Sequence, residues 1–362
     1  MKGISLNKHM ALEKEHHRQN RDIRRHSLSR LYWECTVRCN QSCRHCGSHC
    51  RVIDEVNDMP LGDFLTMLSG IMLQQEPADI FVVLAGGEPL MRPDIVECGR
   101  RIGEMGFPWG IETNGTLLTS DLLARLRAAG LRSVLIRLDG PEHEHNWLHN
   151  SHDAFALTMR ALETACAEEG LEVEVETCIN QRNFDYLQPF YEQLQPLHIN
   201  RWTISTVTPS GLAADNKEMQ LDSYQLRLLM QFISDIRQKA ASAGDTTAMK
   251  VGFSCEGFVG RYEGEVRDGF FTCQAGISRG GVNIAGEIGG CLNIRHNYAQ
   301  GNIYEGDDFM DVWNTCFAEY RDHQWMRTGV CTHCKAFRYC RGNGLHLRDA
   351  KGNLMLCHYY RL

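Results

Sequence analysis

Six short β-type runs alternate with amphipathic helical stretches over residues 31–245. The runs occupy residues 31–37, 80–85, 109–112, 133–138, 172–178 and 202–206. The helical stretches include one that begins near Pro60, one over residues 120–130 and a last one over residues 223–243. This alternation predicts parallel strands with outer helices, in an open or closed barrel or in a flat doubly wound sheet. Six units with a cysteine loop after the first run favour an incomplete barrel, a partial (β/α)6 TIM-like fold of the α/β class.

Charge and hydropathy exclude several function classes. The chain has 362 residues and a formal net charge of -7, which gives no global reason to bind nucleic acid or an anionic membrane. Its apolar runs are strand-sized, too short to cross a bilayer. Residues 1–10 lack the apolar core of a secretory signal, so we expect a cytoplasmic protein without a membrane span. In a reducing compartment, clustered members of its 16 cysteines indicate metal or redox chemistry.

Three cysteines lie within eight residues immediately after the first run, as Cys39-x3-Cys43-x2-Cys46. Three soft thiolates this close together suit an iron–sulfur cluster or a zinc ion. Structural zinc needs four protein ligands, and Cys35 or Cys50 could supply the fourth. A [4Fe–4S] cluster held by three cysteines leaves one iron open for chemistry. We expect this loop at the carboxyl ends of the strands, where parallel βα proteins place their active sites.

The spacing of these cysteines resembles that of the radical S-adenosylmethionine (SAM) superfamily, and two later turns are similar to family segments. Gly86-Gly87-Glu88-Pro89 follows the second run, and Thr113-Asn114-Gly115 follows the third. The resemblance implies that Gly86, Gly87, Glu88, Thr113 and Asn114 bind SAM. It also implies that an electron from the cluster splits SAM into methionine and a 5′-deoxyadenosyl radical, which then takes a hydrogen atom from a substrate.

Two positions depart from the family pattern. Arg137, in the fourth run, stands where many members carry a serine that touches the SAM ribose. His149 stands where they usually carry an arginine that contacts the SAM carboxylate. We predict that Arg137 takes over the carboxylate contact, because its planar fork suits a carboxylate. An exposed arginine beyond the strand is the alternative.

The C-terminal region has a second group of cysteines that resembles the SPASM extension, which carries one or two auxiliary [4Fe–4S] clusters. The resemblance implies one cluster held by Cys331, Cys334, Cys340 and Cys357, although a zinc ribbon would use the same ligands. A second cluster would use Cys273 and Cys291, with Cys255 as a candidate third ligand. The full pattern has another cysteine where Gly344 stands, and His346 is a possible substitute, since imidazole can replace thiolate on iron.

These patterns divide the chain into three parts. Residues 1–30 form a basic polar extension, predicted to be a solvated or partly disordered arm. Residues 31–245 form the radical SAM partial barrel, and residues 250–362 form a small Cys-rich Fe–S domain of the SPASM type. We expect bound metal, more than an apolar core, to order this last part.

The resemblance leaves several functions open. SPASM proteins similar to this chain mostly modify peptides or proteins, so the first hypothesis is a maturase of ribosomally made peptides. An anaerobic sulfatase-maturing enzyme is a rival, although that group has an aspartate where Leu292 stands. An enzyme of cofactor biosynthesis is a further hypothesis, and a non-catalytic Fe–S electron carrier is the last one. An enzyme of this type also implies a low-potential electron donor such as flavodoxin or ferredoxin.

Overall fold

A computed structural model describes residues 4–47, 57–214, 216–244, 248–294 and 298–362. The strands of these residues are β1 (Arg30–Thr36), β2 (Phe81–Gly86), β3 (Trp109–Thr113), β4 (Leu131–Arg137), β5 (Glu172–Ile179), β6 (Arg201–Thr206), β7 (Lys250–Phe253), β8 (Arg279–Val282), β9 (Glu287–Gly289) and β10 (Gly301–Asn302). Their helices are α1 (Leu6–Arg25), α2 (Leu61–Met72), α3 (Ile95–Glu104), α4 (Ser120–Ala128), α5 (Glu142–His149), α6 (Ala154–Cys166), α7 (Leu187–Leu194), α8 (Ser223–Ala243), α9 (Phe309–Thr315), α10 (Ala318–Arg321), α11 (Phe337–Cys340) and α12 (His358–Arg361).

All the described strands join one open sheet in the order β10-β9-β8-β1-β2-β3-β4-β5-β6-β7. Strands β1 to β7 pair in parallel with their sequence neighbours, and β8 pairs in parallel with β1. The predicted α/β partial barrel is therefore confirmed, and each of its six predicted runs is a strand. An open strand order distinguishes it from a closed barrel.

The two faces of the central strands differ in polarity. Ile111, Val134 and Val175 lie on the face that packs against the helices and are at most 2% exposed. On the opposite face, Arg137 of β4 forms ion pairs with Glu112 of β3 and Glu176 of β5. A closed TIM barrel fills its interior with packed side chains, whereas this interior face is charged.

The predicted helices are confirmed at α2, α4 and α8. Helix α2 starts directly after Pro60, and Thr119 caps α4 by accepting a hydrogen bond from the backbone N–H of Leu122. Asp222 and Gln225 form a reciprocal capping box at the start of α8. These signals lie in the sequence, which is why the bounds could be predicted closely.

The prediction of a solvated or partly disordered arm is wrong for the described part of residues 1–30. Helix α1 docks on the C-terminal region, where Leu12 is 2% exposed and packs against Phe258, Phe271 and Tyr339. The side-chain amide of Gln19 donates to the backbone carbonyl of Phe271 at 2.9 Å. One leucine and several polar contacts hold this helix, so it has no apolar stripe that periodicity would reveal.

The C-terminal region extends the barrel sheet at both edges, with β7 beyond β6 and β8 to β10 beyond β1. It also has an apolar core, since Phe309, Trp313, Phe317 and Tyr320 are at most 1% exposed. Side-chain packing therefore orders more of this region than the cysteine-rich sequence indicates. The domain boundary near residues 245–250 stays a prediction. Among the described helices, none combines the length and apolar content that crossing a membrane requires.

Candidate active site

The cysteine loop leaves the carboxyl end of β1, as predicted. Cys39 is 8% exposed, and Cys43 and Cys46 are half-buried. Burial is the main cause that raises the pKa of the Cys39 thiol to about 12; the backbone of Gln41 opposes the shift, and the thiols of Cys43 and Cys46 contribute to it. A buried thiol such as that of Cys39 needs a nearby cation to become a thiolate, so the trio fits an iron–sulfur cluster.

A structural zinc ion at this loop would need a fourth protein ligand, and the structure excludes one of the two candidates for it. Cys35 is fully buried on the helix-facing side of β1, within the apolar core, and burial raises its pKa well above the usual value. Cys50 lies outside the described residues.

The glycine pair after β2 lies against the start of the cysteine loop. Gly86 has a φ of +140°, and a Cβ there would lie 2.0 Å from the carbonyl oxygen of Thr36. A Cβ on Gly87 would lie 2.2 Å from the carbonyl oxygen of Arg38. The N–H groups of Gly87 and Glu88 donate to these two carbonyls at 2.9 and 2.8 Å. The glycines were predicted to admit a ligand; they also admit the backbone of the cysteine loop.

Glu88 joins this turn to the one after β3. Its carboxylate is fully buried and accepts hydrogen bonds from the hydroxyl of Thr113 at 2.7 Å, the N–H of Asn114 at 2.8 Å and the N–H of Leu90 at 3.0 Å. Burial raises its pKa, and these three donors oppose that shift. The two segments that resemble the SAM site are thus bonded to each other through Glu88.

Asn114 also contacts the cysteine loop directly. Its amide donates to the side-chain oxygen of Asn40 at 2.9 Å, and the Asn40 amide donates to Thr116 at 2.8 Å. Since Asn40 follows Cys39, the loop that carries the trio is fixed to the turns after both β2 and β3. The structure therefore brings together Gly86, Gly87, Glu88, Thr113, Asn114 and the three cysteines.

Arg137 lies elsewhere on the interior face and is half-buried. Its guanidinium lies 3.1 Å from the Glu176 carboxylate and 3.7 Å from that of Glu112. The Glu176 carboxylate raises the pKa of Arg137, and Glu112 adds to the effect. Arg137 ends a strand rather than lying beyond it. Its role as a contact for SAM stays a prediction, and any such contact would be shared with two carboxylates.

A buried network beside the cysteine loop was missed by the sequence argument. His149 Nε2 lies 2.7 Å from the Asp139 carboxylate, and His149 Nδ1 lies 2.8 Å from the side-chain oxygen of Gln41 and 3.3 Å from the Cys43 sulfur. Burial lowers the pKa of His149, but Cys43 and Asp139 outweigh it and raise that pKa to about 10. His149 is therefore cationic at neutral pH and contacts a predicted cluster ligand.

His145 completes the network one helical turn earlier. Its Nδ1 accepts from the backbone N–H of Asp139 at 3.0 Å, and its ring stacks on that of His149 with centroids 4.0 Å apart. One carboxylate oxygen and one nitrogen from each ring lie within 4.8 Å of one another. The spacing of His145 and His149, four residues apart, was the available signal, because it places both on one face of α5.

The cysteines of the C-terminal region form two sets in space. Burial raises the pKa of Cys340, and the thiols of Cys357, Cys331 and Cys334 raise it further. Burial also raises the pKa of Cys357 to about 11, with Cys331 and Cys334 adding to the shift. The four residues predicted to hold one metal centre therefore lie together.

The other set contains Cys255, Cys273 and Cys291. Burial is the main cause that raises the pKa of Cys291 to about 12, and the thiols of Cys255 and Cys273 contribute to the shift. These thiols also act on Arg279, whose pKa they raise against the effect of burial. Arg279 in turn opposes the upward pKa shifts of Cys255 and Cys291, and a cation that favours thiolates fits a thiolate-bound cluster.

The space that a cysteine would fill at position 344 is taken by His346. A Cβ added to Gly344 would lie 2.6 Å from Cε1 of the His346 ring. Burial lowers the pKa of His346 to about 4, so the ring is neutral at physiological pH and can act as a ligand. Its role as a substitute ligand stays a prediction.

The sequence profile of the Radical SAM superfamily matches residues 33–180. This segment runs from β1 to the end of β5 and contains the cysteine trio, both turns bonded by Glu88, and the Asp139–His149 network. The chain carries a radical SAM domain. The family implies a [4Fe–4S] cluster and SAM as its cofactors, and the hypothesis of a non-catalytic electron carrier is not supported.

Relatives of this radical SAM enzyme differ in their named activities. It is 27% identical over 342 residues to the AdoMet-dependent heme synthase of Methanosarcina barkeri (strain Fusaro / DSM 804), covering 90% of this chain and 93% of the relative. It is 26% identical over 318 residues to the mycofactocin maturase MftC of Mycolicibacterium smegmatis (strain ATCC 700084 / mc(2)155), covering 86% and 76%. The comparisons therefore leave the substrate open.

Solved structures share the fold of this radical SAM enzyme. Streptococcus suis SuiB bound to the precursor peptide SuiA superimposes with a TM-score of 0.67 and 16% identity, over 90% of this chain and 75% of SuiB. At this identity the likeness concerns the fold alone.

Proposed function

We propose that the chain cleaves SAM reductively at a [4Fe–4S] cluster held by Cys39, Cys43 and Cys46, and that the radical then removes hydrogen from a peptide side chain. The supporting observation is the loop of the trio, which is hydrogen-bonded to the Gly86-Gly87-Glu88 turn and, through Asn40, to the turn that carries Asn114. When bound, such a cluster supplies the electron that splits SAM into methionine and a 5′-deoxyadenosyl radical.

The residues around the trio have distinct tasks in this proposal. The backbone of Gly86 and Gly87, with Thr113 and Asn114, contributes to the SAM site. Glu88, whose carboxylate already accepts three hydrogen bonds, fixes the two turns relative to each other. A fixed site matters because a primary alkyl radical attacks most C–H bonds, so the position of the substrate decides which hydrogen is lost.

The interior face of the sheet is proposed to hold the substrate. The side chains of Arg137, Glu112 and Glu176 keep 36%, 23% and 19% of their surface exposed although they lie inside the barrel. A polar substrate segment can exchange hydrogen bonds with these groups. The relative at 26% identity over 86% of this chain is named a mycofactocin maturase, and this supports a maturase that acts on a peptide. Auxiliary clusters at the two C-terminal cysteine sets are part of the proposal.

A second candidate substrate is an iron tetrapyrrole. The observation that favours it is the heme synthase relative, which matches along 93% of its own length. Tetrapyrroles of this kind carry propionate groups, and arginines such as Arg137 and Arg279 suit carboxylates. Arg137 is already paired with two glutamates, so the peptide remains the first candidate.

Formation of 5′-deoxyadenosine tests the first step. Anaerobically reconstituted protein with SAM and dithionite is expected to produce it, and Cys43→Ala is expected to abolish it. Cys316→Ala is the matched control, because Cys316 is exposed on a different part of the chain. Equal product from wild type and Cys43→Ala would refute the proposed ligand set.

Isotope transfer tests the substrate. Short peptides encoded beside the gene, and separately Fe-coproporphyrin III, are each supplied in deuterated form. Transfer of deuterium into 5′-deoxyadenosine from a peptide supports the first candidate. Transfer from the tetrapyrrole alone would refute it and favour the second.

A further inference from the structure

A basic cavity lies between α1 and the C-terminal region, away from the interior face. It has a volume of about 430 Å³. Five cationic side chains line it, Arg321, Arg327, Lys335, Arg338 and Arg341, and Asp322 is the one carboxylate among its described lining residues. This excess of positive charge occurs in a chain whose net charge is -7.

Among the described residues, acids do not neutralise most of this charge. Arg321 donates to the carbonyls of Gly276 and Trp313, and Arg327 to the carbonyl of Thr332. Arg341 donates to the side-chain oxygens of Gln19 and Asn20. Neutral acceptors satisfy hydrogen bonds but leave a full positive charge on the guanidinium. Arg338 is the exception, since it pairs with Glu13 of α1 at 2.8 Å.

The two histidines in the cavity respond to this positive field. Burial lowers the pKa of His16, and Arg341 and Arg338 lower it further. Burial lowers the pKa of His323 to about 4, again with Arg341 adding to the shift. The lining therefore disfavours any further positive charge, which is the electrostatic condition that attracts an anionic surface.

Cys334 also lines this cavity. It belongs to the set of four thiols that includes Cys331, Cys340 and Cys357. A ligand of a redox centre therefore lies beside a basic opening. A cavity that only bound a small anion would not need this position, whereas an electron-transfer partner would benefit from it.

We propose that this basic cavity docks an acidic one-electron donor protein of the flavodoxin class, which reduces the centre held by Cys331, Cys334, Cys340 and Cys357. The proposal rests on the proposed function in that each SAM cleavage consumes one electron. The flavin hydroquinone loses one electron and one proton and becomes the semiquinone. The cluster accepts the electron and passes from the 2+ to the 1+ state, and the proton goes to solvent.

Charge reversal at the cavity tests the docking. Arg327 and Lys335 are exposed, so Arg327→Glu combined with Lys335→Glu removes attraction with little effect on the core. Arg132→Glu combined with Lys239→Glu is the matched control, because both residues are exposed elsewhere and the net charge changes equally. Photoreduced flavodoxin is mixed with each holoenzyme, and cluster bleaching is followed by stopped flow. Calorimetry measures the affinity for oxidised flavodoxin.

The cavity variant is expected to slow bleaching by about tenfold or more at low salt and to weaken binding, while the control stays near wild type. The wild-type rate is expected to fall steeply as salt is added. A cavity variant with retained iron whose rate and affinity match the control would overturn the proposal. Inhibition of the wild-type reaction by inorganic phosphate at constant ionic strength, with no flavodoxin affinity, would also overturn it and indicate a small-anion site.

Dithionite-driven 5′-deoxyadenosine formation is measured in parallel. It is expected to be equal in the two double variants, because dithionite needs no docking surface. If wild type forms no 5′-deoxyadenosine with dithionite, the proposed function fails, whatever the result for flavodoxin binding and bleaching.

Discussion

The absence of a side chain at Gly87 leaves room for the backbone of the cysteine loop. Because a Cβ there would meet the Arg38 carbonyl at 2.2 Å, Gly87→Ala is expected to displace the loop and lower 5′-deoxyadenosine formation by about 100-fold, since small misplacements at a reacting centre are costly. Gly62→Ala is the control, because nothing lies within 4 Å of its added Cβ and it is in a helix. The control should retain activity and gain about 0.5–1 kcal/mol of stability. Full activity of Gly87→Ala would contradict this account of the turn.

His149 is expected to influence the cluster through its contact with the Cys43 sulfur. A cationic donor stabilises the more negative, reduced state, so His149→Gln should lower the reduction potential of the N-terminal cluster. Losing about 1.4 kcal/mol of a charge-assisted hydrogen bond corresponds to ~60 mV for one electron. An EPR-monitored redox titration measures the shift, with His152→Gln as control because His152 is exposed. An unchanged potential in His149→Gln would show that the contact does not persist when the cluster is bound.

Among single residues, those that lie within one short motif could be predicted from the sequence. Residues that are far apart in sequence and meet only in the folded chain could not. The trio and the two turns could be recognised because each lies within a few consecutive residues. The bond between Asp139 and His149 could not, since it requires that α5 pack back over the end of β4. The ion pairs of Arg137 depend likewise on the register of three strands.

Helix α1 is predicted to remain docked through Leu12. Leu12→Ala should weaken docking by about 2 kcal/mol, because it leaves a gap between Phe258, Phe271 and Tyr339. Hydrogen exchange of the α1 amides measures this directly. Leu6→Ala is the control, because Leu6 is 75% exposed. Equal exchange in the two variants would mean that the polar contacts alone hold the helix.

The docking of α1 should also depend on pH through Glu13. Hydrogen bonds from Arg338 and Tyr339 lower the pKa of Glu13 from 4.5 to about 2, against the effect of burial. A lowered folded-state pKa contributes stability that is fully present above pH 4.5 and is lost as the pH falls toward 2. Thermal unfolding should therefore show a larger difference between wild type and Glu13→Gln at pH 6 than at pH 3. Glu169→Gln, at an exposed position, should show no such difference, and a pH-independent Glu13→Gln effect would contradict the assignment.

Elements with strong periodicity were predictable, and those held by tertiary contacts were not. Strands β1 to β6 and helix α8 carry patterns long enough to identify. Strands β8 to β10 span two to four residues each, so their sequence lacks a period, and they form because β1 offers an open edge. The docking of helix α1 was not predicted because its buried positions include the polar residues Glu15 and Gln19.

The whole molecule is organised around three sets of cysteines, one at the barrel and two in the C-terminal region. Replacing one cysteine of a C-terminal set should therefore lower the iron content of the protein without stopping SAM cleavage. Cys334→Ala is expected to lower bound iron and lose substrate modification while dithionite still drives 5′-deoxyadenosine formation. Iron analysis and product assays on the same samples measure this. If Cys334→Ala modifies substrate fully, its centre has no role in the reaction, and if zinc replaces iron there, the centre is a zinc ribbon.

The most direct test of the account is the EPR spectrum of the dithionite-reduced protein before and after SAM is added. A cluster with one iron not bound by cysteine, held by Cys39, Cys43 and Cys46, predicts a signal that changes when SAM binds and is absent from Cys43→Ala. A spectrum that is insensitive to SAM, or that is unchanged in Cys43→Ala, would contradict it.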